Sequence, residues 1–331
     1  MAHSNPQNRT GLVYDEAYLR HLEGDSGHPE CPERLTAIIE MLQTTALFPA
    51  LCRIAPRSAG DAELSLAHDP AYLALVEREG RKVERLRMLS TGDTVISKDS
   101  LEAARLAAGG VLAAVDAVMD GQARNVFCAV RPPGHHATRR RGMGFCIYNN
   151  VAVAARCLQH QYGLERILIV DWDYHHGNGT QDIFYEDGSV FYFSTHHYGA
   201  YPGTGSPAEK GAGKGAGTTL NVPLPVGASD ALIREALETK LVPATQEFRP
   251  QFILISAGFD AMRNDLLGCF DITPEGFAAI TRLVCSLAEQ FCNGRLVSVL
   301  EGGYRLDGLA QSVVAHLQAL HGSPHTLTEK S

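Results

Sequence analysis

Short runs of apolar, β-prone residues recur along the chain at 11–14, 125–130, 166–171, 190–195, 251–257 and 295–300. Between them, apolar residues return at three- and four-residue intervals over 32–47, 70–89, 100–119, 150–162, 230–248, 274–292 and 306–320. That spacing buries one face of a helix. Strand alternating with helix predicts an α/β fold, a central and mainly parallel sheet flanked by helices on both faces. No Pro/Ser-rich linker and no internal repeat interrupts the pattern, so a single domain over 11–322 is expected. Residues 1–10 read as a flexible N-terminus and 323–331 as a short C-terminal tail.

In open α/β sheets, ligands bind outside the C-terminal ends of the strands. The run Ile167-Leu-Ile-Val170 describes a buried strand and delivers Asp171-Trp-Asp173-Tyr-His175-His-Gly-Asn178 at that end. Alternation along an extended chain would turn Asp171, Asp173 and His175 to the same side. Carboxylate plus imidazole without thiolate suits Zn²⁺ or Fe²⁺ better than Mg²⁺ or Ca²⁺. The plain alternative, a polar surface turn, fits poorly behind a buried strand. Three other strand ends carry chemistry. Arg131-Pro-Pro-Gly134-His135-His136, with Gly144-Phe145-Cys146 beyond it, follows 125–130; Gly258-Phe-Asp260 follows 251–257; Glu301-Gly-Gly-Tyr304 follows 295–300. A lone strand-end aspartate is as often a helix cap. Four such ends in one sheet converge on one crevice.

Asp173, His175 and Asp260 would supply three ligands and leave positions open for water and a substrate oxygen. A metal held so lowers the pKa of its water to about 7. His135 and His136 are too close in sequence to bind one metal readily and suit proton transfer. Tyr304 can donate to an oxyanion. Metal, acid–base imidazole and oxyanion donor together make an amide hydrolase.

Composition narrows the setting. Of 331 residues, 45% are apolar and 20% charged, ordinary for a protein with a sizeable core. A net charge of −8 argues against nucleic acid or an acidic membrane as partner. The basic triplet at 139–141 reads as a solvated loop. Eight cysteines without a CxxC pair suggest a reducing compartment. No export signal or membrane-length apolar run is evident, so a cytoplasmic protein of open oligomeric state is expected. The glycine-rich stretch at 199–217 runs on into 218–222 with no helix after it, which favours a rim loop over a phosphate loop.

The motifs Arg131-Pro-Pro-Gly-His-His, Asp171-x-Asp-x-His-His-Gly-Asn-Gly-Thr, Ser256-Ala-Gly-Phe-Asp260 and Glu301-Gly-Gly-Tyr304 resemble the zinc-dependent histone deacetylase family, and the likeness runs over roughly residues 11–320. The resemblance implies the arginase/deacetylase fold. It makes Asp173, His175 and Asp260 the ligands of one catalytic Zn²⁺, with Fe²⁺ as an alternative metal. It makes His136 the general base and His135 its electrostatic partner, hydrogen-bonded to Asn178 and Asp171 respectively. Asparagine at 178 looks like the class II branch, and tyrosine at 304 looks like the active branches. Gly144, Phe145 and Tyr201 would line the acyl-lysine tunnel, with Tyr201 standing where the family usually has phenylalanine. Asp93 or Thr94 would hold the substrate backbone, and Arg34 and Cys146 would lie near an internal acetate pocket. A structural K⁺ would take Asp171, Ser194 and the carbonyls of Asp173, His175 and Thr195.

Leu267 occupies a gate where the polyamine-selective branch carries glutamate, and a neutral gate gives no attraction to a cation. The expected substrate is therefore acyl-lysine in a peptide or protein. A small acylated amine is the alternative, with Glu23, Asp25 and Glu30 available to make an acidic rim. An arginase-like ureohydrolase would need a second metal and more carboxylates, and a non-catalytic binding module would not need every catalytic role filled.

Overall fold

The computed structural model describes residues 9–25 and 27–322. The tail expected at 323–331 and most of the N-terminal lead lie outside those residues. Thr10, assigned to the lead, instead opens the first strand. Ten strands follow in chain order: β1 (Thr10–Val13), β2 (Cys52–Ile54), β3 (Arg87–Met88), β4 (Val95–Ile96), β5 (Asn125–Cys128), β6 (Ile167–Asp171), β7 (Val190–His197), β8 (Thr219–Leu224), β9 (Phe252–Ala257) and β10 (Leu296–Leu300). Eight of them form one sheet in the order β2-β1-β5-β10-β9-β6-β7-β8. Every neighbouring pair is parallel. The strands β6, β9 and β10 are buried along their whole length, which is why they read as continuous apolar runs rather than alternating ones.

Helices cover both faces. Leu306–His321 packs against both Glu33–Gln43 and Pro274–Cys292, and Ser100–Met119 packs on Asn150–Tyr162. Polar side chains start two of them: Asn149 accepts from the Ala152 N–H, and Thr273 from that of Gly276. Among the described residues, no helix is long and apolar enough to cross a membrane.

Three helix expectations need correction. The helix over 32–47 stops at Gln43, where the Thr44 and Thr45 hydroxyls donate to the Met41 and Leu42 carbonyls. The helix over 70–89 stops at Gly80, and Arg87–Met88 pairs antiparallel with Val95–Ile96. Leu86 and Met88, which continued the helical period, are exposed. The stretch 230–248 stays helical but widens into a π turn at Leu237–Leu241. Pro243 follows two residues later, and a proline ring cannot tolerate the normal carbonyl placement one turn before it.

Candidate active site

The C-terminal ends of β5, β6, β9 and β10 meet around one cavity of about 350 Å³. His175 lines it, and His175, Asp173 and Asp260 offer one ligand atom each, all within 4.8 Å of one another. β6 ends at Asp171, so strand alternation does not extend to Asp173 and His175. Asp171 sits apart from the other two and serves His135. Backbone N–H groups aim the acids: Gly302 donates to Asp173 Oδ2 at 2.8 Å and Tyr174 to Asp260 Oδ1 at 2.9 Å. His175 Nδ1 lies 2.8 Å from Asp260 Oδ2 and 3.3 Å from Asp173 Oδ1.

The charge balance of this trio answers whether a cation fits. Burial, with the neighbouring Asp173 charge, pushes the Asp260 carboxyl up to about 7. Burial alone would lower His175, but its bonds to the two carboxylates raise it to about 10. His175 Nδ1 thus stands between two buried acids whose negative charge a cation would offset. Two carboxylates and an imidazole are a donor set suited to Zn²⁺ or Fe²⁺.

The tandem histidines are placed differently from one another. His135 Nδ1 is 3.1 Å from Asp171 Oδ2, and Asp171 also accepts from the Tyr192 hydroxyl at 3.1 Å. Burial opposes a charge on His135, yet Asp173 and Asp171 overcome it and raise the ring to about 10. His136 Nδ1 donates to Asn178 Oδ1 at 2.8 Å. Burial, reinforced by His135 and His175, holds His136 well below its ordinary value. The two surroundings thus favour the charged form at His135 and the neutral form at His136, and His136 lines the cavity wall. Behind both, the Glu301 carboxylate accepts from the backbone N–H groups of Gly134 and His135, at 2.6 and 3.1 Å.

The walls match most of the tunnel residues expected from the sequence. Gly144, Phe145, Tyr201, Leu267, Asp93 and Tyr304 all line the cavity. The Phe145 and Tyr304 rings meet edge to face at 5.9 Å, and the His136 and Tyr201 rings at 5.1 Å. The Tyr201 hydroxyl donates to Asp93 Oδ1 at 3.2 Å, and the Gly144 N–H donates to the same oxygen at 2.8 Å. Tyr174 and Ala200 also line the cavity and were not foreseen. Tyr174 lay inside the quoted motif, but alternation turned it away from the site.

Other expectations resolve as follows. Thr94 is fully buried and its hydroxyl donates to the Cys146 carbonyl at 3.1 Å, so it is not a rim residue. Glu30 is fully buried and paired with Arg131, Arg34 and His21, which removes it from any acidic rim. Glu23 faces a separate groove with Glu84 and Arg85, and Asp25 caps its own turn at Gly27. Arg34 lies 5.1 Å over the Tyr304 ring, and its Nε donates to the Gly303 carbonyl at 2.6 Å. Cys146 is buried, with its thiol 3.3 Å from the Gly144 carbonyl. Ser194 Oγ pairs with His196 Nδ1 at 2.8 Å, whereas Thr195 Oγ1 is buried without a hydrogen-bond partner.

Residues 28–320 match the family described as the histone deacetylase domain. The chain belongs to the histone deacetylase family. Its relatives within that family are diverse. It is 42% identical to a "Probable deacetylase" of Archaeoglobus fulgidus, over 90% of this chain and 82% of that one. It is 44% identical to the mouse "Polyamine deacetylase HDAC10", over 95% of this chain and 48% of that one. Among solved structures, the HDA15 HD domain superposes with a TM-score of 0.90 at 39% identity, covering 97% of this chain and 90% of the other. Family membership makes this deacetylase a hydrolase.

Proposed function

We propose that the chain is a zinc-dependent amidohydrolase that removes acetyl or another short acyl group from the side-chain amine of acyl-lysine in a peptide or protein. The observation that carries this reading is that His136, its Nδ1 held by Asn178, lines the same cavity as Tyr304 and His175, which stands with Asp173 and Asp260 in one cluster of ligand atoms. Zn²⁺ held by those three residues, or Fe²⁺ in its place, supplies polarisation of the acyl carbonyl and acidification of water to a pKa of about 7.

The chain's own residues do the rest. Nε2 of His136, free because Nδ1 donates to Asn178, takes a proton from the attacking water. It later gives that proton to the departing amine as the carbon–nitrogen bond breaks. His135, charged and held by Asp171, offsets the negative charge that develops beside it. The Tyr304 hydroxyl donates to the oxyanion. Phe145 and Tyr201 flank the aliphatic stem and keep water off the bond being cut.

A structural K⁺ on Asp171, Ser194 and the carbonyls of Asp173, His175 and Thr195 is part of the proposal. A cytoplasmic location is supported by eight cysteines that show no CxxC pair.

Leu267, a neutral residue at the cavity, favours acyl-lysine over a polyamine. An acetylpolyamine is the second reading, because two relatives at 44% and 42% identity are named polyamine deacetylases and Asp93 presents an exposed carboxylate at the cavity. Purified zinc-loaded protein, with a chelator control, should hydrolyse an acetyl-lysine peptide faster than acetylspermidine. The reverse order would transfer the assignment to polyamines, and failure on both would end it.

A further inference from the structure

Asp265 follows the zinc-ligand candidate Asp260 by five residues, in the turn that leaves β9. One of its oxygens, Oδ2, accepts from the backbone N–H groups of Tyr304 at 2.8 Å and Arg305 at 3.1 Å. The other, Oδ1, accepts from those of Leu267 at 2.9 Å and Gly268 at 3.3 Å. A single half-buried carboxylate therefore ties the segment carrying the oxyanion donor to the segment carrying the gate. We propose that Asp265 is a positioning residue for Tyr304, fixing its backbone so that the hydroxyl meets the oxyanion. The proposal rests on the role assigned to Tyr304 above.

The need for such a clamp follows from the local chain. β10 ends at Leu300 and the last helix starts at Leu306, so Tyr304 belongs to neither element. Gly302 and Gly303 precede it, and Gly303 has φ +120°, a conformation with little intrinsic stiffness. Arg34 secures the Glu301 and Gly303 carbonyls on the upstream side. Asp265 secures the downstream side with N–H bonds to a charged acceptor, stronger than neutral ones. Its charge also lies where the N-terminal end of the last helix favours an anion. The Tyr304 hydroxyl sits at the far end of a long ring, so a backbone shift of about 1 Å would carry it off the oxyanion, a displacement that can cost on the order of 10²-fold in rate.

The test compares Asp265→Asn with Tyr304→Phe and with the double variant, measuring kcat, KM and zinc content. Asparagine keeps the shape but offers one accepting oxygen and turns an N–H₂ group toward the other pair of donors. Expected is a loss in kcat of roughly tenfold or more, and no greater than the loss in Tyr304→Phe, with KM changed less than about twofold. In the Tyr304→Phe background the same substitution should change kcat less than about twofold, because the hydroxyl it positions is already gone. An equal loss in both backgrounds, or an effect confined to KM, would overturn the proposal. Hydrogen exchange gives a readout that needs no turnover, so it stands even if the substrate assignment fails. In Asp265→Ala, which removes both accepting oxygens, the amides of Tyr304 and Arg305 should lose protection together with those of Leu267 and Gly268. Retained protection at Tyr304 and Arg305 would refute the clamp.

Discussion

Single side chains in the cavity carry separable jobs. Tyr304→Phe removes one oxyanion donor and should lower turnover by about 10²–10³, with zinc content unchanged by metal analysis. Asp260→Ala takes one of three closely set ligand atoms and leaves Asp173 and His175 alone. That variant should purify without the proposed zinc, measured by the same analysis, and full occupancy would remove Asp260 from the proposed ligand set. At this scale the sequence was informative where chemistry sits in the side chain and at a strand end. His136, His175 and Tyr304, each named by its motif, line one cavity, with His135 bonded to Asp171 behind and Asp173 and Asp260 grouped with His175. Asp265 and Glu301 work through backbone N–H groups far along the chain, and no pattern of residue types announces such partners. Thr94 shows the converse: it stood beside a rim residue in sequence, yet its hydroxyl is spent inside the fold.

Elements answer to packing before propensity. Gly109 lies inside the helix Ser100–Met119, where alanine would normally gain about 1 kcal/mol. A Cβ there would run into the Arg57 carbonyl and the Ala59 backbone nitrogen. Gly109→Ala should therefore destabilise the protein, by about 1–3 kcal/mol for overpacking against backbone, seen as a lower midpoint in urea. The helices with long apolar stripes and the strands buried on both faces were legible for the same reason, since burial imposes a period. The edge strand β8 was not. Its interior carries Asn221 and Pro223, which erase the apolar run, and an edge is where proline is tolerated. The hairpin strands β3 and β4 are two residues each, too short to show any period.

The whole molecule should be acid-sensitive for reasons remote from the cavity. His68 is buried with Nδ1 donating to the Thr138 carbonyl at 3.0 Å and Nε2 accepting from the Asn149 N–H at 2.9 Å, which fits only the neutral ring. Burial lowers His68 to about 4 and His316 to about 3, from 6.5 in the unfolded chain. Below pH 6.5 the unfolded state therefore binds protons that the native state refuses. Stability is full above that pH and falls as pH drops towards the native values, by about 1.4 kcal/mol per histidine per pH unit. Glu30 adds a second loss at lower pH. Burial would raise its carboxyl, but Arg131 and His21 hold it well below the usual range, so its contribution fades as pH falls beneath 4.5. Urea midpoints measured from pH 8 to pH 5 should begin to fall near pH 6.5, and a flat profile would contradict the neutral burial of these rings.

The order of the sheet has a consequence for how the chain is made. β10 pairs with β5 on one side and β9 on the other, and no other strand joins β2-β1-β5 to β9-β6-β7-β8. On the ribosome, both half-sheets emerge before β10, which is made last among the described strands. Closure then pairs residues far apart in sequence, the slowest kind of contact to form. Until it happens, the open edges of β5 and β9 are exposed to unwanted pairing, a hazard that holding chaperones relieve. Tyr304 lies four residues past the end of β10, so insertion of that strand also carries Tyr304 to the cavity wall.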